Sequence, residues 1–438
     1  MREACDVCVI GTGTVGLAVA WELLQRGLTA TIIGPRDGDH RGQASRAAGA
    51  MLSTFSEIEP GHDPARVKAE TGERLAAHEM YPAWLDRLGA GPARAGTWVL
   101  APAGRRAWLD PIACAAAAAG HPAEFHDAGE VPGLAALTAA ITCHPGARWT
   151  DTTVTAVDGS RVCRADGGTV AAGQIVLAAG AEIPALLPEA GRPLGVPPIL
   201  AGRGVSLLLD AQALSLPHVV RTPNAAFSCG VHLVPRDGGA LYLGATNRLT
   251  TSPDPERRAT IGELAALAGD ATALLDHRLA GAQVTEARVG LRPYTVDHLP
   301  LVGRTGDPRI LLATATYRCG VLLAPRLATL IANEIAAPGT LDGHPYRALR
   351  PMPAPAVDAI VHGAAADLIG HLLQGGGHLP PQAAAELTAF LPEALRSLLA
   401  EPAAAAGSPV LRRLWQAAPV PEVIPSLLSL ASRPGASQ

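Results

Sequence analysis

The first apolar run, Cys-Asp-Val-Cys-Val-Ile at 5–10, predicts a short buried strand, and Leu17 to Gly27 then takes up a helical period. A second apolar strand, Thr29 to Ile33, ends at Gly34-Pro35. Strand, turn, helix and strand in this order make one β–α–β unit. Helical spacing runs through 64–90, and a mixed stretch to about 150 contains the Ala-rich run at Cys114. Alternating positions return at 150–165, with Asp158-Gly159 as the turn. Ile175 to Ala178 is apolar throughout and ends in Ala179-Gly180. Short strands are expected to dominate 196–290, broken by Pro-Arg-Asp-Gly-Gly at 235–239. Ile310 to Thr314 reads as another buried strand, and Gly320 to Ile335 as the helix that follows it. Beyond the Pro-rich linker at 351–355, helical spacing recurs at 356–373, 382–400, 409–417 and 421–432. Leu387, Phe390, Leu391, Leu395, Leu398 and Leu399 share one face there. That appendage is expected to pack on the chain's own core, with assembly into a homo-oligomer as the alternative. No fixed-period repeat is visible.

Composition narrows the classes. A chain of 438 residues can bury a large core without disulfides or structural metal. With 48% hydrophobic and 17% charged residues it is not a disordered chain. A net charge of −4 and 3% aromatics argue against nucleic acid as a partner. Lys68 is the one lysine against 34 arginines, a bias that reflects genomic base composition rather than catalysis. The seven cysteines are odd in number and scattered, and no secretory pattern precedes them. The apolar run at 115–119 is too short to span a bilayer. A cytoplasmic protein with free thiols and no membrane partner is expected. Cys5-x-x-Cys8 lies in a predicted strand, where positions i and i+3 face opposite sides, so it reads as structural. Neither a Ser–His–Asp arrangement nor a P-loop is found, the fourteen His are dispersed, and no metal site is expected.

Gly11-x-Gly13-x-x-Gly16 joins the first strand to the first helix. The first glycine permits the tight turn, the second lets backbone approach a pyrophosphate, and the third lets helix and sheet pack closely. Phosphates would rest on the helix N-terminus, beside Thr14 and Val15. The acid that usually meets the ribose hydroxyls should stand near 34, where the chain has Gly34-Pro35-Arg36-Asp37. Arg36 would suit a 2′-phosphate and therefore NADP, whereas Asp37 would reach a ribose if the loop bends back. The fingerprint alone does not choose.

The remaining motifs carry a family resemblance. Gln43-Ala-Ser-Arg-Ala-Ala-Gly-Ala-Met-Leu52 resembles the Ala/Ser-rich stretch of the flavin-dependent glycine oxidases and the wider D-amino-acid oxidase family. Val176 to Ala181 resembles their second FAD-binding strand, Ala201 to Gly204 the crossing into the substrate domain, and His232 to Thr246 a sheet hairpin. Gly290 to Gly303 and Leu312 to Pro325 are similar to the C-terminal flavin motifs. The resemblance spans about 5–345, in the family's order, and speaks against NADP. It implies an α/β protein, α+β overall, with a Rossmann-like FAD-binding domain and a mixed-sheet substrate domain. The implied boundaries are 1–80, 150–200 and 290–350 for the first, 81–149 and 201–289 for the second, with 356–438 as a helical C-terminal extension. Gly11, Gly13, Thr14, Val15, Gly16, Gly34, Arg36, Ala44, Ser45, Ala48, Gly49, Met51, Val154, Ala179 and Gly180 would then hold FAD, Val154 at the adenine. Sarcosine oxidases tether their flavin through a Cys near the position of Arg292. None stands here, so FAD is expected to be non-covalent. The lysine that helps oxygen react in those enzymes has no counterpart either.

On the same resemblance Arg292, in Gly-Leu-Arg-Pro, holds the substrate carboxylate, which a planar guanidinium grips with two charge-assisted bonds. Arg318 is either a second substrate contact or a loop brace, with Tyr317 beside it. Gly320, Val321 and Leu322 open a helix whose N-terminus would face the flavin. His232 stands where a Tyr is common, and Asn247 where a Met is common. Thr316 and Cys319 replace a His and an Asn. The changes at His232 and Asn247 make the pocket more polar if these residues face it, and all four departures bear on the substrate rather than the reaction. The expected activity is removal of hydride from Cα of glycine or a similar small amino acid, giving an imine and, with molecular oxygen, hydrogen peroxide. The alternatives are a tailoring oxidase of a larger amine or amino sugar in secondary metabolism, and an inactive flavin-binding scaffold.

Overall fold

The computed structural model describes residues 3–36, 42–58, 64–90, 97–100, 109–119, 133–351, 365 and 381–400, apart from 159, 187–194, 198, 212–213, 215, 225–228, 251–257 and 296. Of the four C-terminal helical patterns, 382–400 falls on the helix Pro381–Ala400, and the others lie outside the described residues but for 365. Leu395 is buried on that helix, whereas Phe390 is 65% exposed.

Two mixed sheets organise the chain. The first runs Leu301–Arg304, Ile310–Thr314, Thr169–Leu177, Glu3–Ile10, Ala30–Ile33 and Ala147–Thr150, parallel except for the antiparallel edge strand Leu301–Arg304. Ile10 sits level with Ile33 and Leu177, and Leu177 with Leu312, so four strands end together. The strand Ala147–Thr150 joins this sheet just ahead of the expected boundary at 150. Helices Thr14–Gln25, Pro64–Arg87 and Gly320–Ala336 cover one face, where Leu17, Leu23, Trp84, Leu327 and Ile331 form one buried cluster. Parallel strands covered on both faces need this continuous apolar character.

The second sheet runs Gly42–Gln43, Gln283–Tyr294, Leu200–Asp210, Ala240–Gly244, His232–Pro235, Val219–Arg221 and Thr97–Val99. Here the expectation of short strands at 196–290 is corrected. Two of the strands have 11 and 12 residues, and Ile261–Leu274 is a 14-residue helix. Burial explains the long strands: Leu200–Asp210 lies between two neighbours and is buried for nearly its whole length. The helix is started by a capping box, with Thr260 and Glu263 each bonding the other's backbone. Its Leu267 and Ala271 pack beneath Leu207, Leu209 and Leu233. Among the described residues no helix is long and apolar enough to cross a membrane.

Candidate active site

A cavity of roughly 540 Å³ opens where the strands of the first sheet end, at Ile10, Ile33, Ala178 and Thr314, and the second sheet closes its far side. Ligands of open α/β sheets bind at such carboxyl ends. Gly11 turns the chain there with φ 117°, and a Cβ on it would lie 2.4 Å from the Ala178 carbonyl. Gly16 sits behind the turn, where a Cβ would strike the Gly11 carbonyl at 2.1 Å, so it packs helix on strand and does not line the cavity.

Gly11, Gly13, Thr14, Val15, Gly34, Ala44, Ser45, Ala48, Gly49, Met51, Val154, Ala179, Gly180, Gly320, Val321 and Leu322 all line it. Ser45 Oγ accepts from Thr14 N at 2.9 Å, which ties the Ala/Ser-rich segment to the first helix. Arg36 is placed differently from the expectation for a cofactor ligand. Its guanidinium lies 5.8 Å from the Trp149 ring, its backbone N donates to Asp151, and it does not line the cavity. Asp37 lies outside the described residues.

The opposite end is polar. Arg292 lines the wall above Gly204, where a Cβ would come within 2.3 Å of its guanidinium nitrogens, so any larger residue there would displace the guanidinium from this position. Its Nη1 donates to Thr246 O at 3.2 Å and Asn247 Oδ1 at 2.9 Å. Asn247 is buried behind Arg292 and does not line the cavity. Tyr317 does, with a left-handed φ of 49°, held by a bond from its N to Pro293 O at 2.8 Å. Non-glycine residues in this region are costly and gather at functional sites. Arg318 lies over the Tyr317 ring, 4.8 Å from its centre, and its Nε is 3.0 Å from Glu57 Oε2.

Glu57 has no sequence motif to announce it. It is the one charged residue between Arg46 and Glu59, and a lone charge in so apolar a stretch signals a buried partner. Those partners are Arg318, Arg221 at 3.0 Å and Asn224 at 3.0 Å. Burial alone would raise the Glu57 carboxyl, but Arg318 and then Arg221 hold it far below the ordinary carboxylate range. Cys229, Tyr242 and Gln43 also line the cavity without having been expected to.

His232 stands between Arg221 and Gly244 in one row across three strands. Burial, then the Arg221 charge, pull its pKa down to about 3, so it stays neutral. Its Nδ1 faces the Gly230 carbonyl at 3.2 Å. A carbonyl only accepts, so Nδ1 carries the hydrogen and Nε2 keeps its lone pair. The pH profile of activity is therefore expected to show no inflection from His232 between about pH 5 and 8, where an unperturbed imidazole would titrate. Profiles of the native protein and His232→Gln check this. A step near neutrality that disappears in the variant would refute the neutral assignment.

The residues fit a flavin dinucleotide. The glycine turn and helix start offer the pyrophosphate cradle. Gln43 Oε1 is buried in the wall with no hydrogen-bond partner in the described residues, an acceptor for the N–H and O–H groups that such a cofactor carries. Among the described residues no group of three His, Cys, Asp or Glu is placed to hold a metal ion.

Comparison with known proteins points the same way. The family described as FAD dependent oxidoreductase matches residues 6–165 and 134–334. A Rhizobium etli protein described as a thiamine biosynthesis oxidoreductase, ThiO, is 30% identical over 365 residues, covering 78% of this chain and 98% of that one. A glycine oxidase of Geobacillus kaustophilus is 28% identical over 373 residues, 76% of this chain and 94% of its own. The crystal structure of glycine oxidase from Geobacillus kaustophilus superposes with a TM-score of 0.66 at 23% identity, over 80% of this chain and all of the other, which bears on the fold.

Proposed function

Because the chain belongs to the family of FAD-dependent oxidoreductases, we propose that it oxidises glycine or a similarly small amino acid to the imine, with molecular oxygen as final acceptor. The observation that carries this reading is Arg292, a guanidinium on the wall of the same cavity whose other end is the glycine turn. FAD supplies the two-electron acceptor for the Cα hydride, and its return to the oxidised form by oxygen releases hydrogen peroxide. The protein's part is to bind and orient. Arg292 takes the carboxylate and so fixes Cα in the cavity. Neutral His232 offers Nε2 as an acceptor to an amine N–H. The helix from Gly320 points its N-terminus at the cavity, which favours negative charge there. Arg318, paired with Glu57, braces the wall.

A larger amine or amino sugar is the second reading. The Glu57–Arg318 pair and His232 favour it, because they give the wall more polar groups than glycine needs. The two sheets support a division of the same kind, with 3–33, 147–177 and 301–336 around FAD and 97–99, 200–250 and 261–294 around the substrate, but Gly42–Gln43 and 290–294, expected with the FAD part, pair in the second sheet, and 147–149 pair in the first. The seven described cysteines are free, in keeping with a reducing cytoplasm.

Anaerobic glycine is expected to bleach the visible flavin band of the purified protein. Silence with glycine, sarcosine and small D-amino acids would defeat the small-substrate reading. Bleaching by an amino sugar instead would favour the second.

A further inference from the structure

The Asn247 side chain has both of its ends committed. Oδ1 accepts from Arg292 Nη1 at 2.9 Å, and Nδ2 donates to the Tyr317 hydroxyl. The amide cannot be turned over, because a guanidinium has only donors and must face the amide oxygen. The amide nitrogen therefore faces Tyr317, and the phenol oxygen is the acceptor. It follows that the phenol proton is not used in this bond. Thr246 and Asn247 both meet Arg292 at Nη1. Arg292 and Tyr317 line the cavity and Asn247 does not, so one buried amide sits behind two cavity groups.

We propose that Asn247 is a positioning residue that sets the donor polarity of the substrate anchor, turning the Arg292 fork and the Tyr317 O–H onto one carboxylate. The inference rests on the amino-acid reading for the identity of that carboxylate. It adds a second donor and a reason for an amide at 247. An apolar side chain there would leave Arg292 Nη1 without its side-chain acceptor. A carboxylate would neutralise Arg292 and, having only acceptors to offer, would oblige Tyr317 to donate to it.

The test is acetate binding to the FAD-loaded protein, read from the shift of the flavin spectrum, with FAD affinity measured alongside as the check on folding. Asn247→Asp is expected to weaken acetate at least about tenfold, and Asn247→Leu by less. Tyr317→Phe is expected to weaken acetate several-fold in the native background and not at all in Asn247→Asp, because there the proton is already turned away. Additive effects of the two substitutions, or an Asn247→Asp protein that keeps native acetate affinity, would overturn the proposal. If glycine fails to bleach the flavin while the two substitutions still couple, the polarity assignment stands and the amino-acid reading falls.

Discussion

Replacing Arg292 with methionine is expected to lower kcat/KM for glycine about 10²- to 10³-fold while the protein stays yellow. Two charge-assisted bonds at about 1.5–2 kcal/mol each sum to about 3–4 kcal/mol, and each 1.4 kcal/mol is roughly tenfold. A carboxylate that keeps its charge throughout the reaction is held in ground state and transition state alike, so most of the loss falls on KM. Arg292→Lys keeps the charge but not the fork and should lie between. The decisive comparison is with methylamine, which has no carboxylate. The native protein should prefer glycine strongly, and Arg292→Met should erase that preference by weakening glycine alone. Stability is a lesser matter, since among the described residues only the Thr246 carbonyl and Asn247 Oδ1 lose a hydrogen-bond partner. If the preference for glycine over methylamine survives in Arg292→Met, Arg292 does not hold the carboxylate.

What the sequence made legible was local. Strand, glycine turn and helix at 5–27 follow from neighbours within a few residues, and the structure has them as Glu3–Ile10 and Thr14–Gln25. The helix at 261–274 was missed, because the strand-rich pattern around it outweighed the local Thr260-x-x-Glu263 capping signal. The fold class followed from the ordered motifs. The polar end of the cavity is a different matter. Glu57 meets Arg221 across 164 residues, and Asn247 meets Tyr317 across 70. No hydrophobic period links such positions, because their pairing is decided by how the second sheet closes on the first. Arg36 shows the converse limit. Its place beside the fingerprint suggested a phosphate, but Trp149 offers the guanidinium a ring surface instead.

The Glu57 cluster is where the largest loss of stability is expected. The Arg221 side chain is 0% exposed and fully engaged, with Ser56 at 2.7 Å, Asn224 at 2.7 Å, and the Thr222 and Cys229 carbonyls besides Glu57. Glu57 is the carboxylate that balances both Arg221 and Arg318. Glu57→Gln keeps the shape and removes the charge, leaving two guanidiniums facing an amide. Breaking a buried pair from one side costs about 3–5 kcal/mol, because the remaining charge is uncompensated. At about 2.1 cal/mol/K per residue a chain of 438 residues unfolds with an entropy of roughly 0.9 kcal/mol/K, so the thermal midpoint of the FAD-loaded protein should fall by roughly 3–5 °C. The double variant Glu57→Gln with Arg221→Met removes one stranded charge but takes the donor from Asn224 and from the Thr222 and Cys229 carbonyls, so its loss should be smaller than the sum of the two single losses without returning to native. The pH dependence has a definite sign. The folded carboxyl is held below its unfolded value, so its stabilisation is complete above the ordinary carboxylate range and fades as pH falls below it. The gap between native and variant should therefore be widest near neutrality and close in acid. Arg318 loses its tether as well, so a modest rise in KM should accompany the loss of stability. If the midpoint of Glu57→Gln stays within about 1 °C of native at neutral pH, a difference worth no more than about 1 kcal/mol, the carboxylate is not what stabilises this wall of the cavity.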